Sequence, residues 1–407
     1  MTWMIGGKRI GSALISRQRY LGDIVMATVV LDVLRRGDPG MRLGFLCENQ
    51  YGAVLSGQDG LDDLHLLDLK RKGKDARARG PAEPYPIKSK HGQNGPNLHK
   101  GQGTAGMIKT LRACRYDLVV DLFFNPFSAL LFRLTGIPHR IGGTPKWRRW
   151  LYTDTVCLTD PQVEETGLEQ LAPGGLGEHL CRLAPLFHAE TELPFLSWLD
   201  REWGTGNILP RLSPTTPRES TTKALRGVGV KNGRGFLLLA PGATWPSKEW
   251  PVERWRELIR LLLPKVSLPL VLLLPPNRPE LWSVLAEDIP AGQGGALPVQ
   301  PLPEALDVIG RSSGLVTVDG GTLHAGVGLG RPTLGLFGPT DPEIWFPYQG
   351  AGPFRVLAEA PHCHPCDLHE CEEFICLPRL KAEKVASAIL TMLSEMVPLA
   401  EPPDDHD

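Results

Sequence analysis

Short apolar runs alternate with helical periods along much of this chain. In the first half, Ala13, Leu14 and Ile15 form an apolar run that predicts a buried strand. A helix is expected over 24–34, and further strands over 42–47, 64–69 and 116–122, the last carrying Asp121 near its end. A helix over 128–135 and a short element from Arg140 follow. In the second half, an apolar strand begins at Phe236 and runs into a Gly turn. Residues 251–263 (PVERWRELIRLLL) predict an amphipathic helix with Pro in its first turn. Strands over 270–274, 314–318 and 333–337 alternate with helices over 302–309 and 325–329, and a helix over 380–396 closes the pattern. Two βα-repeating runs predict an α/β protein with two Rossmann-like, doubly wound domains. The expected boundaries are 1–205 and 236–407, joined by a polar, Pro-containing linker over 206–235. Ligands in such sheets bind at the carboxyl ends of strands, so a cleft between the two domains is the expected site.

The pattern breaks over 70–109. Ten Lys and Arg there face two acids, a local net charge of +8, and no apolar period precedes Met107. A surface insertion is the expectation, either a solvated loop or a binder of anions. The whole chain has 407 residues and balances 44 Lys and Arg against 45 Asp and Glu. That neutrality argues against a dedicated nucleic-acid binder. At 42% hydrophobic residues the chain is too apolar for disorder and can fill two cores. The start has no charged segment leading into an apolar run, and the most apolar stretch, 268–276, is far shorter than the ~20 residues that span a bilayer. A cytoplasmic protein is therefore expected.

Four strand-end segments carry candidate chemistry. Gly22 and Asp23 follow the first strand. Asp23 there is either a helix cap or a carboxylate held as a general base. Thr244 and Lys248 lie between a Gly turn and a helix start, a combination that suits a phosphate and equally suits an ordinary turn with an exposed lysine. Asp319, Gly320, Gly321, Thr322 and His324 form the third segment, where successive glycines let backbone N–H groups approach a phosphate. Glu280 is the fourth candidate, either an acceptor for ribose hydroxyls or a helix-start acid.

Taken in order, these segments resemble glycosyltransferase family 9, the ADP-heptose:lipopolysaccharide heptosyltransferases. The resemblance rests on Tyr20-Leu-Gly-Asp-Ile-Val-Met-Ala-Thr28, Tyr116-Asp-Leu-Val-Val-Asp-Leu122, Ala240-Pro-Gly-Ala243 with Lys248-Glu-Trp-Pro251, and Val318-Asp-Gly-Gly-Thr-Leu-His-Ala325 with Gly330-Arg-Pro-Thr-Leu-Gly-Leu-Phe-Gly-Pro-Thr340. It implies a GT-B fold, with acceptor on the N-terminal domain and nucleotide sugar on the C-terminal domain. By motif match, Asp23 falls at the family's catalytic base and Lys248 at the lysine near the donor diphosphate. Thr244, Asp319, Gly320, Gly321, Thr322 and His324 fall on donor-binding positions, and Glu280 on the acid that meets the ribose. Val29 stands where many members carry Pro, and the basic insertion is not general to the family.

The resemblance implies an inverting transfer of heptose from ADP-heptose to a lipopolysaccharide core acceptor. Alternatives are a different nucleotide sugar serving another surface glycan, or a nucleotide-sugar-binding module without catalysis. A nicotinamide-dependent dehydrogenase is disfavoured, because no G-x-G-x-x-G follows the first strand. The sole Asp-x-Asp spacing, Asp405 to Asp407, lies in the tail, so no cofactor and no catalytic metal are expected.

Two segments remain. Cys363, Cys366, Cys371 and Cys376 have a spacing that could hold a structural zinc, or could pack as thiols or a disulfide; a C-terminal Cys motif of this kind is frequent in the family. The other four cysteines, Cys47, Cys114, Cys157 and Cys181, read as scattered core or strand thiols. Lys146-Trp-Arg148-Arg149-Trp150 joins cations to Trp, which suits an anionic glycolipid at the cytosolic surface of the inner membrane, bound peripherally; the other reading is a solvated surface turn.

Overall fold

A computed structural model of the protein describes residues 4–5, 8–69, 96–143, 146–156, 209–346 and 348–395. Residues 70–95 of the basic segment, Cys157, Cys181 and the tail with Asp405 and Asp407 lie outside the described residues. The chain divides into two compact units. The first is Met1–Thr216 with Val327–Leu329 and Glu343–Ala351, and the remainder forms the second.

The first unit opens with a two-stranded antiparallel pair, β1 (Met4–Ile5) and β2 (Lys8–Arg9). Its main sheet contains β3 (Ser12–Ser16), β4 (Arg42–Glu48), β5 (Asp63–Leu67), β6 (Asn97–Gln102), β7 (Leu118–Asp121), β8 (His139–Gly143) and β9 (Asp154–Val156). The strands are all parallel, in the order β6-β5-β4-β3-β7-β8-β9. Interior strands of such a sheet are covered on both faces and therefore read as continuous apolar runs. Ala13, Leu14 and Ile15 of β3 are fully buried, as are Leu43, Phe45 and Leu46 of β4. The helix expected over 24–34 runs from Leu21 to Gly37.

The second unit contains β10 (Leu237–Ala240), β11 (Leu270–Leu273), β12 (Gly294–Leu297), β13 (Gly314–Val318), β14 (Thr333–Phe337) and β15 (Phe354–Ala358). They are parallel, in the order β12-β11-β10-β13-β14-β15. That is the 3-2-1-4-5-6 order of a dinucleotide-type Rossmann sheet. The amphipathic helix is Val252–Leu262, and it buries Trp255, Leu258, Ile259 and Leu262 at the 3.6-residue period. These side chains join Trp250, Trp282 and the closing helix Ala382–Ser394 in one core.

Three expectations change. The basic stretch over 70–109 is not an insertion throughout, because β6 and the helix Thr104–Cys114 begin within it. Among the described residues β6 pairs only with β5, at the sheet edge, so its sequence, Asn-Leu-His-Lys-Gly-Gln, needs no two-sided apolar run. The 206–235 stretch is not linker throughout either: the helix Glu219–Gly227 lies in it, on the second unit's side of the division at Thr216. The helix expected over 325–329 starts at Gly321, directly after the Gly pair. β12 was hidden by its glycines. Gly294 has φ +135°, and a Cβ there would meet the Leu270 carbonyl oxygen of β11 at 1.9 Å.

Candidate functional site

In each sheet, chemistry-bearing side chains gather where the strand order reverses, between β3 and β7 and between β10 and β13. Helices leave such a point in opposite directions, opening a crevice at the carboxyl ends of the strands.

In the first unit, β3 ends at Ser16, and a short loop leads into the helix Leu21–Gly37. Asp23 is the third residue of that helix. Its Oδ2 accepts a long hydrogen bond from the Tyr20 backbone N–H, 3.4 Å, which is the capping contact. The same oxygen meets Arg17 Nη2 at 2.6 Å. The side chain is 16% exposed, so it is held from behind while still reaching solvent. The cap and the candidate base are therefore the same group. Arg17 also donates to the Leu122 carbonyl just past β7, tying the two strand ends together. The guanidiniums of Arg17 and Arg19 lie 5.2 and 5.4 Å from the Phe123 ring centroid. Nearby, Asp121 is fully buried and accepts from Tyr152 Oη at 2.6 Å. Burial pushes its carboxyl above the usual range, against the hydrogen bonds that lower it.

In the second unit, the turn Pro246–Lys248 follows β10, and Asp319 directly follows β13. Lys248 Nζ and Asp319 Oδ2 stand 2.6 Å apart. Thr340 Oγ1 donates to the same oxygen at 2.6 Å. Lys248 is 14% exposed and also lies 4.1 Å from the Trp245 ring centroid. A buried carboxylate thus holds a lysine at the strand-order reversal, next to the Gly320 and Gly321 turn and the helix Gly321–Gly328. Cation, glycine turn and helix N-terminus together make an anion-binding arrangement. Thr322 lies in the first turn of that helix, and His324 is buried. Thr244 is exposed in the β10 loop, and Glu280 is exposed in the short helix Pro279–Ser283 after β11. In the same loop Arg278 pairs with Glu249 at 2.6 Å. Lys248, Asp319 and Thr340 are thus brought into contact, and Thr244 and Glu280 occupy neighbouring strand-end loops.

The cysteine segment braces this arrangement. Cys366 N donates to the Pro339 carbonyl, and His364 Nδ1 lies 3.0 Å from the Gly338 carbonyl. Ser247 donates through its hydroxyl to Leu368 and through its backbone to His369. The His369 ring stacks on Trp245 at 3.8 Å between centroids. The segment therefore clamps the turns that carry Lys248 and Thr340. Cys363, Cys366, Cys371 and Cys376 are all free thiols, and burial raises the Cys376 thiol. Among the described residues their sulfurs do not form a group of three within 4.8 Å.

The turn Lys146–Leu151 packs against the helix Pro126–Thr135. Trp147 and Trp150 are 57% and 74% exposed, and the Arg149 guanidinium lies 4.6 Å from the Trp150 ring centroid. Leu130 and Leu134, one turn apart on that helix, are exposed as well. Residues 126–151 contain Arg133, Arg140, Lys146, Arg148 and Arg149 and no acid. Exposed apolar side chains on two packed elements thus lie in a segment rich in positive charge. Among the described residues no helix is long and apolar enough to cross a membrane.

Pattern reading missed Arg17, Thr340 and the apolar pair Leu130 and Leu134. Arg17 gave one signal, a cation in the loop between strand and acid. Thr340 stood at the end of the Gly330–Thr340 motif without an assigned role, because its partner Asp319 lies on another strand end.

Residues 207–372 match glycosyltransferase family 9 (heptosyltransferase). Lipopolysaccharide heptosyltransferase 1 of Pseudomonas aeruginosa is 29% identical over 187 residues, covering 40% of this chain and 49% of that protein. The chain thus spans about half the length of that relative. Lipopolysaccharide heptosyltransferase 3 of Escherichia coli is 22% identical over 399 residues, covering 94% of this chain and 98% of that protein. The solved structure of E. coli ADP-heptose lipopolysaccharide heptosyltransferase II aligns with a TM-score of 0.65 at 18% identity, over 94% of this chain and 99% of that one. At that identity the alignment establishes the fold, and the fold class is GT-B.

Proposed function

We propose that this chain, whose residues 207–372 match glycosyltransferase family 9, belongs to that family and transfers heptose from ADP-heptose to a lipopolysaccharide core acceptor, by a single inverting displacement without a catalytic metal. The observation that carries the reading is the Lys248–Asp319 pair, 2.6 Å apart at the β10/β13 reversal, beside a glycine turn and a helix start. Asp23 takes the proton of the acceptor hydroxyl as that oxygen bonds to the anomeric carbon. The bond from that carbon to the diphosphate breaks, and ADP leaves with the electron pair. Lys248 and the backbone N–H groups over 320–322 meet the negative charge that develops on the leaving diphosphate. Thr244 and Thr322 supply hydroxyls to the donor phosphates, with Asp319 and His324 shaping the same turn and Glu280 facing the ribose. Arg17 positions Asp23 through Oδ2.

The test is a screen of purified protein against nucleotide sugars, with release of free nucleotide as the readout. ADP-heptose should be the preferred donor. Preference for a uridine sugar discards the heptose assignment and leaves the second reading, another surface glycan.

The acceptor side of the reading is an anionic glycolipid at the cytosolic surface of the inner membrane. The exposed Trp147 and Trp150 with Arg148 and Arg149 support it. Aromatic side chains favour the headgroup level, and each Lys or Arg near an anionic surface contributes about 1 kcal/mol. Combining Arg149→Glu with Trp150→Ala should weaken sedimentation with anionic vesicles by at least about tenfold. Neutral vesicles should bind both proteins weakly. Equal binding of variant and parent to anionic vesicles would remove the patch from the acceptor side.

A further inference from the structure

Outside the strand-end sites, β5 and β6 carry a buried polar cluster at the sheet edge. His65 and His99 are paired across the two strands, and their rings stack 4.4 Å apart with planes 12° from parallel. Cys114, the last residue of the helix Thr104–Cys114, completes the group. One ring nitrogen of each histidine and the Cys114 sulfur lie within 4.8 Å of one another. This is the one such group of His, Cys and acidic side chains among the described residues.

The hydrogen bonds around the group decide what it can accept. Tyr116 Oη donates to Asp63 Oδ2 at 2.9 Å, so its remaining capacity is to accept from His65 Nε2, also at 2.9 Å. His65 therefore carries its proton on Nε2, and its Nδ1 presents a lone pair. That Nδ1 is buried with no hydrogen-bond partner. An unpaired acceptor in a fully buried residue is a cost the fold sustains unless something else occupies the lone pair. His99 Nε2 stands 3.5 Å from Asp63 Oδ1, so the same carboxylate orients the second ring. A carboxylate holding one nitrogen of each imidazole, directly or through a phenol, is the outer-shell arrangement of metal-ligating histidines. Arg42 pairs with Asp63 at 2.8 Å and fixes the carboxylate in turn. The backbone makes room for this chain of bonds: a Cβ on Gly44 would stand 2.1 Å from Tyr116 Oη.

We propose that His65, His99 and Cys114 form a binding site for a borderline-soft divalent cation of the zinc class, with solvent in the fourth position. Two imidazoles and a thiolate are the donor set that such an ion prefers to harder oxygen sites. The thiol gives up its proton as the metal–sulfur bond forms. The ion would pin the edge strand β6 to β5 and to the helix end. The site lies mid-strand, not among the strand-end loops, so its role is structural. The segment with Cys363, Cys366, Cys371 and Cys376, for which the sequence leaves zinc, packed thiols or a disulfide open, is separate from it.

The experiment uses the full chain, stripped with a chelator and titrated with cobalt(II) and with zinc(II) against a chromophoric competitor. One site is expected at these residues, giving a thiolate-to-cobalt charge-transfer band. Zinc should raise the melting temperature. Cys114→Ser should remove the band, and His99→Ala should weaken zinc at least about tenfold and abolish the zinc-dependent gain in melting temperature. His99→Asn is a second variant of similar size in case alanine loosens the edge strand. Cys366→Ser with Cys371→Ser should leave the band and the affinity at this site unchanged. The proposal is overturned if the stripped protein binds no cobalt or zinc. It is equally overturned if binding survives Cys114→Ser and is lost with the Cys366 and Cys371 pair.

Discussion

Asp23→Asn is expected to lower turnover by about 10²–10⁴-fold, the range supplied by a positioned general base. The substitution keeps the shape and one carbonyl-type oxygen, so the Tyr20 N–H can still be capped. What it removes is the charge paired with Arg17 at 2.6 Å and the capacity to accept the acceptor's proton. Donor affinity should stay within a factor of about two, since the proposed donor contacts lie in the second unit. The loss should therefore fall on kcat, with little change in melting temperature. Arg17→Ala gives a useful contrast. It leaves the carboxylate but frees it from its anchor and from the Leu122 tie, so a smaller loss is expected than for Asp23→Asn. An Asp23→Asn enzyme with normal turnover would end the assignment of Asp23 as base. The carboxylate would then be a helix cap held by an ion pair.

How far the sequence reveals this molecule depends on how each element is covered. β10, β11, β13 and β14 were legible because helices cover both faces of an interior parallel strand, which forces an uninterrupted apolar run. The helix Val252–Leu262 was legible because one face is buried and the other wet. Edge strands lack that constraint. β6 is mostly polar, and β12 opens with two glycines that read as a turn. The site divides in the same way. Asp23, Lys248 and Asp319 could be singled out as candidates because a strand end followed by Gly or by a helix start is a local pattern. The Lys248–Asp319 contact joins residues far apart in the chain, and Thr340 joins them only through the return of β14 alongside β13. The histidine–cysteine group was invisible for a similar reason. His65, His99 and Cys114 are scattered in sequence and meet only because β6 returns parallel to β5. Of the cysteines that attracted notice by spacing, Cys366 braces a loop through its backbone N–H to the Pro339 carbonyl.

Lys248→Met should have two separable consequences. The first is on stability. Asp319 Oδ2 is shared by Lys248 and Thr340, and removing the cation leaves a buried carboxylate with one neutral donor. Breaking one partner of a buried pair costs about 3–5 kcal/mol. The melting temperature of the second unit should fall accordingly. The second consequence is on chemistry. A donor that meets developing charge in the transition state is worth about 10²–10³ in kcat, so Lys248→Met should lose that much even where the protein is fully folded. Adding Asp319→Asn separates the two. The neutral amide no longer needs a cation, so Lys248→Met with Asp319→Asn should recover most of the lost stability. It should not recover turnover, because no positive charge remains to meet the diphosphate. Lys248→Arg keeps the charge with a different geometry and should retain the ion pair while losing part of kcat. If turnover instead rises with stability in the double variant, Lys248 serves only to neutralise Asp319. The leaving group would then rely on the glycine turn and the helix start at Gly321, which would have to carry the diphosphate charge alone.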